Sequence, residues 1–343
     1  MKKVKRICLI PFAKNVGGPA SFQRRFAAGL EERGIQITYH LDDNPYDAVL
    51  VVGGTRHLGG LWSARRRGIP IIQRLNGMNW LHRKLKTGVL HYLKAEYGNL
   101  LLSFIRRRLA TSIVYQSHFA QSWWERVHGY KQVPSQVTHN GVDLEIFSPE
   151  GPHNRPENIY RLLLVEGRMG GGYEVGLRNA VKLTESLSNV HNLPVELIVA
   201  GRVSENVKTY WENESSTKIH WSGLVPGNKI PELDRSAHLL YSADLNPACP
   251  NSVIEALACG LPVVSLDTGS LPELVVGDAG RIVPYGGDPW QLDPPDIASL
   301  AAACVEVLQN QDHFRPAART HATAEFCIDK MVEEYLKALT ANG

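Results

Sequence analysis

Three passages share one grammar: AGLEERGIQITY, ARRRGIPIIQ and ALACGLPVVS each carry an amphipathic run to Gly34, Gly68 or Gly260 and then turn into a short run of Ile and Val. Glycine there supplies the left-handed residue that ends a helix, and Pro70 and Pro262 prevent its continuation. A helix that stops on glycine and passes straight into a short apolar strand is half of a strand, helix, strand unit. Such units build parallel sheets buried on both faces. The pattern predicts strands near residues 6–11, 35–39, 48–52, 70–73, 112–115 and 136–138. A second series follows in RLLLVEG, VELIVAG, KIHW, HLLYS, LPVVSL and GRIVP. Between the two series lies FSPEGPHNRPEN, with three prolines and no apolar period, which reads as a linker. A chain of 343 residues exceeds what one core organises. The expectation is therefore α/β, with two doubly wound domains at residues 1–150 and 151–320. A helical close runs from about residue 297, and its last part, 321–343, packs back on the N-terminal domain. Open parallel sheets bind ligands beyond the carboxyl ends of their strands, so the expected site is the cleft between the two domains.

With 43% hydrophobic and 21% charged residues the chain reads as soluble and globular. Its formal charge of +3 is too small to call for a nucleic-acid partner. The charge is uneven, however. Residues 65–108 hold eleven Lys and Arg against one acid, Glu96, with Trp80, Tyr92, Tyr97 and Phe104 interleaved. That segment suits either an anionic membrane surface, or the guidance of a lipid-phosphate acceptor, or simply a solvated helical face. Five cysteines without CxxC spacing fit a reducing, cytoplasmic setting, peripheral at the inner face of a membrane if the basic segment docks there. MKKVKRICLIPFAK has too short an apolar core for a signal peptide and reads as a first buried strand.

The stretch NPACPNSVIEALACGLPVVSLDTGSLPELV places two S-x-x-E patterns at helix starts, Ser252 with Glu255 and Ser270 with Glu273. In the bland reading both are capping boxes. In the other, the helix beginning at Ser252 aims free amides at a phosphate or diphosphate, while Glu255 accepts the hydroxyls of an adjacent ribose. An anion site beside a diol acceptor describes a nucleotide.

This stretch, with QVTHNGVDLEIFSP and RLLLVEGRMGGG, resembles the retaining glycosyltransferases of family 4, which have the GT-B architecture of two Rossmann-like domains facing a cleft. The resemblance is closest over residues 136–283. It implies transfer of a sugar from a nucleotide-sugar donor, with retention of configuration, to a glycan or lipid-linked acceptor. It also implies no cofactor and a metal-independent reaction, and no D-x-D triplet occurs to suggest a metal-bridged diphosphate. Glu255 matches the second glutamate of the family's E-x7-E motif, which binds ribose. The first glutamate's position holds Pro247, which leaves the amides of Asn251 and Ser252 as the donor contacts. Gly167 and Arg168 match the family's G-R-L loop, whose arginine neutralises the diphosphate, while the lysine that follows falls at Tyr173. Leu224 and Val225, after KIHWSG, flank the base mainly through backbone. Arg202, after VELIVAG, supplies either a second cation or an ion pair between domains.

In the first domain, Gly17 and Gly18 in KNVGGPASF offer close backbone approach to the donor, or merely a tight turn. Arg74 and Asn76 in QRLNGMNW follow a strand and face the acceptor, with Asn76 the catalytic-side hydrogen-bonding group. His118 in YQSHFAQ is either an acceptor-side residue or an ordinary polar residue at a helix start. The resemblance, with no evident base, implies front-face displacement, with Arg168 holding the leaving diphosphate. A non-catalytic nucleotide-sugar-binding partner of another transferase and a GT-B nucleotide-sugar epimerase are the alternatives that Pro247 and Tyr173 leave open.

Overall fold

The computed structural model describes residues 4–13, 17–169 and 174–340. The chain forms two compact units, Met1–Gly141 with Cys327–Gly343, and Val142–Phe326.

The first unit is built on six parallel strands: β1 (Arg6–Ile10), β2 (Gln36–Thr38), β3 (Ala48–Val52), β4 (Ile71–Leu75), β5 (Ser112–Tyr115) and β6 (Ser135–Val137). Their order is β2-β1-β3-β4-β5-β6, so the chain reverses its direction of travel across the sheet between β1 and β3. β3 and β4 are buried at every residue, as strands covered on both faces must be. Four helices connect them: α1 (Gly18–Glu32), α2 (Leu58–Arg66), α3 (Val89–Phe104) and α4 (His118–His128). α1 lays Phe22, Phe26 and Leu30 onto Ile7, Leu9 and Leu50 in one core cluster.

The second unit repeats the plan with β7 (Tyr160–Met169), β8 (Val195–Val203), β9 (Lys218–Gly223), β10 (Leu239–Ser242), β11 (Val263–Leu266) and β12 (Gly280–Val283). The order is β12-β11-β10-β7-β8-β9, all parallel, with the reversal between β7 and β10. Its helices are α5 (Val175–Asn189), α6 (Glu205–Glu214), α7 (Ile230–Arg235), α8 (Asn251–Ala258), α9 (Leu271–Leu274), α10 (Ile297–Gln309) and α11 (Gln311–Glu325). After α11 the chain returns to the first unit as α12 (Ile328–Thr340). There the Tyr335 ring lies 5.1 and 5.2 Å from those of Phe22 and Phe26. Gly29 of α1 admits α12 closely, since a Cβ on it would stand 2.7 Å from Val332 Cγ2.

Each of the three helix-stopping glycines has a left-handed φ, between 66° and 76°. At Gly260 its own amide bonds to Leu257 O and the next one to Ala256 O, the paired bonds that close a helix C-terminus. The proline-rich stretch is not where the chain leaves the first unit, because that passage falls at Gly141. FSPEGPHNRPEN lies within the second unit, where its carbonyls, which have no sheet partner, are collected by arginines. Arg235 donates to Ser148 O and Pro152 O, and Arg319 to Phe147 O.

Candidate functional site

The carboxyl edge of the second sheet, at the reversal between β7 and β10, gathers most of the residues marked in the sequence. β7 continues past its apolar core through Glu166, Gly167 and Arg168 to Met169. Val165 is in register with Ala200 and Arg168 with Arg202, so two residues of β7 oppose the single Gly201 of β8. This is a β-bulge, a device that re-aims a strand end. It depends on Gly201, whose φ is +148° and whose added Cβ would fall 1.9 Å from Glu166 O. The bulge brings the backbones of Arg168 and Arg202 side by side at the strand ends. The side chain of Arg168 lies outside the described residues, as does Tyr173; Arg202 is exposed. Gly167 is exposed too, with no heavy atom within 4 Å of where its Cβ would stand, so its backbone is open to close approach. Leu224 and Val225 follow β9 at the same edge, Leu224 exposed and Val225 partly so.

The helix after β10 starts two residues earlier than the S-x-x-E pattern, with Ser252 as cap, implies. Pro250 is the N-cap of α8 and supplies no side-chain cap, so Asn251 and Ser252 are its first two residues and Glu255 its fifth. Ser252 and Glu255 therefore do not form a capping box: a residue in the second helical position cannot fold its hydroxyl back over the first-turn amides. The first-turn amides point out of the sheet edge, and Asn251 and Ser252 are both partly exposed. At α9 the N-cap is Ser270, as the pattern predicts, yet its side chain makes no capping bond. Its amide instead donates to Pro247 O at 2.9 Å. Gly269 permits that tie, because a Cβ there would stand 2.5 Å from Pro247 Cδ. Pro247 thus joins the loop after β10 to the loop after β11.

Two electrostatic features went unmarked in the sequence. Glu166 ends the apolar part of β7, and Asp244 stands two residues beyond β10, its sheet neighbour. Burial pushes Glu166 well above the usual carboxylate range, and the charge of Asp244 adds to that. Desolvation raises Asp244 to about 6 against the lowering effect of the Leu245 amide. As a residue Asp244 is exposed, so solvent screens part of this effect, and the upward direction is what stands. The second feature is Asp234, fully buried in the last turn of α7. Burial first, and then the charge of the Glu255 carboxylate, raise it well above its ordinary value. The Cys259 thiol beside it is a weak partner. An acid within the apolar run LLLVEG was the available signal for Glu166; nothing local marks Asp234.

The first unit has its own carboxyl edge. Gly17 is the N-cap of α1, and neither Gly17 nor Gly18 has a heavy atom within 4 Å of an added Cβ. Asn76, beyond β4, is partly buried, and its carbonyl accepts the Trp124 indole N–H at 2.7 Å. Arg74 faces inward, not toward an acceptor. It is buried, donates through Nη2 to Asn140 Oδ1 at 2.7 Å, and lies 3.9 Å over the Phe22 ring. Its position inside β4 turns it into the core, and the Phe22 face with the Asn140 carbonyl makes that burial tolerable. His118 is exposed as the first residue of α4, whose N-cap Ser117 accepts from the Ala120 amide. Among the described residues no three His, Cys, Asp or Glu side chains gather as a metal site would require.

Residues 161–310 match the family described as glycosyl transferases group 1. Over 107 residues the chain is 32% identical to the O-antigen chain mannosyltransferase B of Escherichia coli, covering 31% of this chain and 25% of that one. It thus spans about a quarter of that relative's length. The fold is that of GT-B glycosyltransferases. A sucrose-phosphate synthase of Thermosynechococcus elongatus superposes with a TM-score of 0.73 at 14% identity, over 99% of this chain and 100% of that one. The Anabaena protein HepE, solved in complex with UDP-glucose, gives 0.70 at 14% identity over 99% and 100%.

Proposed function

From the match of residues 161–310 to the group 1 glycosyl transferases, we propose that the chain moves a sugar from a nucleotide-sugar donor to a glycan or lipid-linked acceptor with retention of configuration. The donor is held at the β7 and β10 reversal of the second unit. The observation that carries this is the convergence there of the β7 bulge, bearing Gly167 and Arg168, with the N-terminus of α8. A bulge that opens backbone to approach, two adjacent arginine positions and the amides of Asn251 and Ser252 suit a diphosphate. Glu255, one turn into α8, suits the ribose diol. The UDP-glucose complex of HepE makes a uridine diphosphate sugar the first donor to try. The likeness to an O-antigen mannosyltransferase supports a role in cell-surface polysaccharide or glycolipid synthesis.

In this reading the acceptor hydroxyl enters on the face from which the diphosphate departs, and an oxygen of the leaving phosphate takes its proton. The protein supplies orientation, with Asn76 on the acceptor side, and stabilises the charge that grows on the diphosphate. Arg168 carries the largest share, so Arg168→Ala is expected to lower turnover by about two orders of magnitude or more, as loss of a single charge-stabilising donor does elsewhere. The test is a panel of nucleotide sugars scored first for a rise in melting temperature and then for transfer, hydrolysis or interconversion. Transfer with the binding donor supports the reading. Tight binding without any turnover would make the chain a non-catalytic partner, the reading that Pro247 favours. Interconversion of the sugar would make it an epimerase.

A further inference from the structure

α3 is built inside out. Its buried positions are Ala95, Asn99 and Ser103, small or polar side chains. Asn99 fixes that face by accepting from the Asn79 amide at 2.9 Å and donating to Asn79 O at 2.8 Å. Leu101 and Leu102 are half-buried, but most of the large apolar side chains lie outward: Val89, Leu90, Tyr92, Leu93, Tyr97, Leu100 and Phe104 are all exposed, Leu90 at 85%. Sixteen large apolar residues are exposed among those described, and these seven belong to one sixteen-residue helix. At 3.6 residues per turn, six of the seven, all but Tyr92, fall within an arc of about 100°, a continuous stripe along the helix. A surface of this kind is not what an isolated face in water carries.

Its flanks are basic. Lys84 and Lys86 precede the helix, Lys94 stands beside the stripe, and Arg107 and Arg108 follow in the π-helical turn Ile105–Leu109; all five are exposed. The acid of the segment, Glu96, is engaged by Arg83 at 2.5 and 2.8 Å and by His82 at 2.9 Å, and offsets little of that charge. Arg74 and Arg106, counted in the same basic segment, are buried and contribute nothing to this surface.

We propose that α3 is a membrane-docking helix: its apolar stripe enters the interface of an anionic phospholipid surface while the flanking lysines and arginines lie against the headgroups. An apolar stripe rimmed by cations is the pattern that such a surface recognises, each half supplying what the other lacks. The inference deepens the reading of a lipid-linked acceptor and rests on it for its purpose. Vesicle binding needs neither donor nor turnover, so the two can fail separately.

The test is sedimentation of the full chain with vesicles of phosphatidylglycerol and phosphatidylcholine in roughly equal parts, against phosphatidylcholine alone. Binding is expected to the anionic vesicles, to weaken as salt is raised, and to fall about tenfold or more in a Leu93→Ser, Leu100→Ser double variant. Because both leucines are exposed, that variant should melt as the parent does. A Leu93→Trp variant should have its emission quenched by phospholipid brominated in the acyl chain. Several results would overturn the proposal: no binding to anionic vesicles at low salt, equal binding to both kinds, or vesicle binding that leaves the introduced indole unquenched. A concentration-dependent dimer that the double variant abolishes, with no vesicle binding, would assign the stripe to a second copy of this chain instead.

Discussion

Gly201→Ala is the sharpest perturbation available at the proposed donor edge, because the geometry assigns it two separable costs. A side chain at φ +148° occupies backbone space that residues other than glycine seldom enter, at about 1–3 kcal/mol. The new Cβ would also stand 1.9 Å from Glu166 O and 2.9 Å from Met169 Cε, so the β7 bulge must move away. Forcing one carbon into a packed site costs about 1–3 kcal/mol more. A total of about 4 kcal/mol in a unit of this size corresponds to a fall in melting temperature of roughly 8–16 °C. Gly223→Ala is the control. Its φ is +63° and nothing lies within 4 Å of the added Cβ, so it carries only the backbone cost of about 1–2 kcal/mol, or roughly 2–8 °C. The assay is thermal melting of the two variants beside the parent, with titration of a nucleoside diphosphate. Gly201→Ala should lose the larger share of stability and weaken diphosphate binding, since displacing the bulge moves the backbone of Gly167 and Arg168. Equal melting losses in the two variants would refute the clash, and unchanged diphosphate binding in Gly201→Ala would refute the bulge as the element that shapes the site.

The acids of the second unit predict pH effects of definite sign. Asp234 has a folded pKa raised above its unfolded value, so its unfavourable contribution is absent below about pH 4 and grows as pH rises toward the folded value. Asp234→Asn removes this, and should make the melting temperature fall less between about pH 5 and pH 8 than it does in the parent; a parallel pH profile would show that Asp234 is already ionised in the fold. The Glu166 and Asp244 pair gains negative charge as pH rises through about 6. Affinity for a nucleoside diphosphate at the adjacent strand ends should then decline from about pH 5 to pH 8 in the parent and more shallowly in Asp244→Asn. An identical slope in both would remove the pair from the site.

What the sequence discloses follows from how local each signal is. Most of the strands coincide with apolar runs, because a strand buried on both faces must be apolar nearly throughout and the glycines that stop the helices act through their own φ. The strand ends are less legible. Gly167, Arg168, Gly201 and Arg202 look like loop residues, and only the pairing of β7 with β8 makes them a bulge. The S-x-x-E pattern at Ser252 misplaces the cap for a related reason. Proline is usually a poor cap, but here Pro250 holds the extended backbone that an N-cap needs while offering no side-chain bond. Arg74 is the clearest limit: a charged residue near a strand end reads as cleft-facing, and its burial rests on Phe22 and on Asn140, sixty-six residues away.

α3 shows that a period and a direction are different kinds of information. The spacing of Val89, Leu93, Tyr97, Leu100 and Phe104 is what a core-facing helix would show, and the basic residues around it read equally as a solvated face. Only the structure reveals that the small and polar positions are the ones turned inward. A helix can adopt that orientation when hydrogen bonds replace apolar packing on its inner side, as the Asn99 pair with Asn79 does. The energy that would ordinarily come from burying those five large side chains is then left unrealised in the free protein, and it becomes available to whatever surface covers them. The proposed diphosphate site lies on the second unit, whereas that uncovered apolar surface belongs to the first, the unit in which the proposal puts the acceptor side. The two halves of the proposed reaction are thereby given different solvents: a polar strand edge for the water-soluble nucleotide, and an apolar, cation-rimmed helix for a lipid interface.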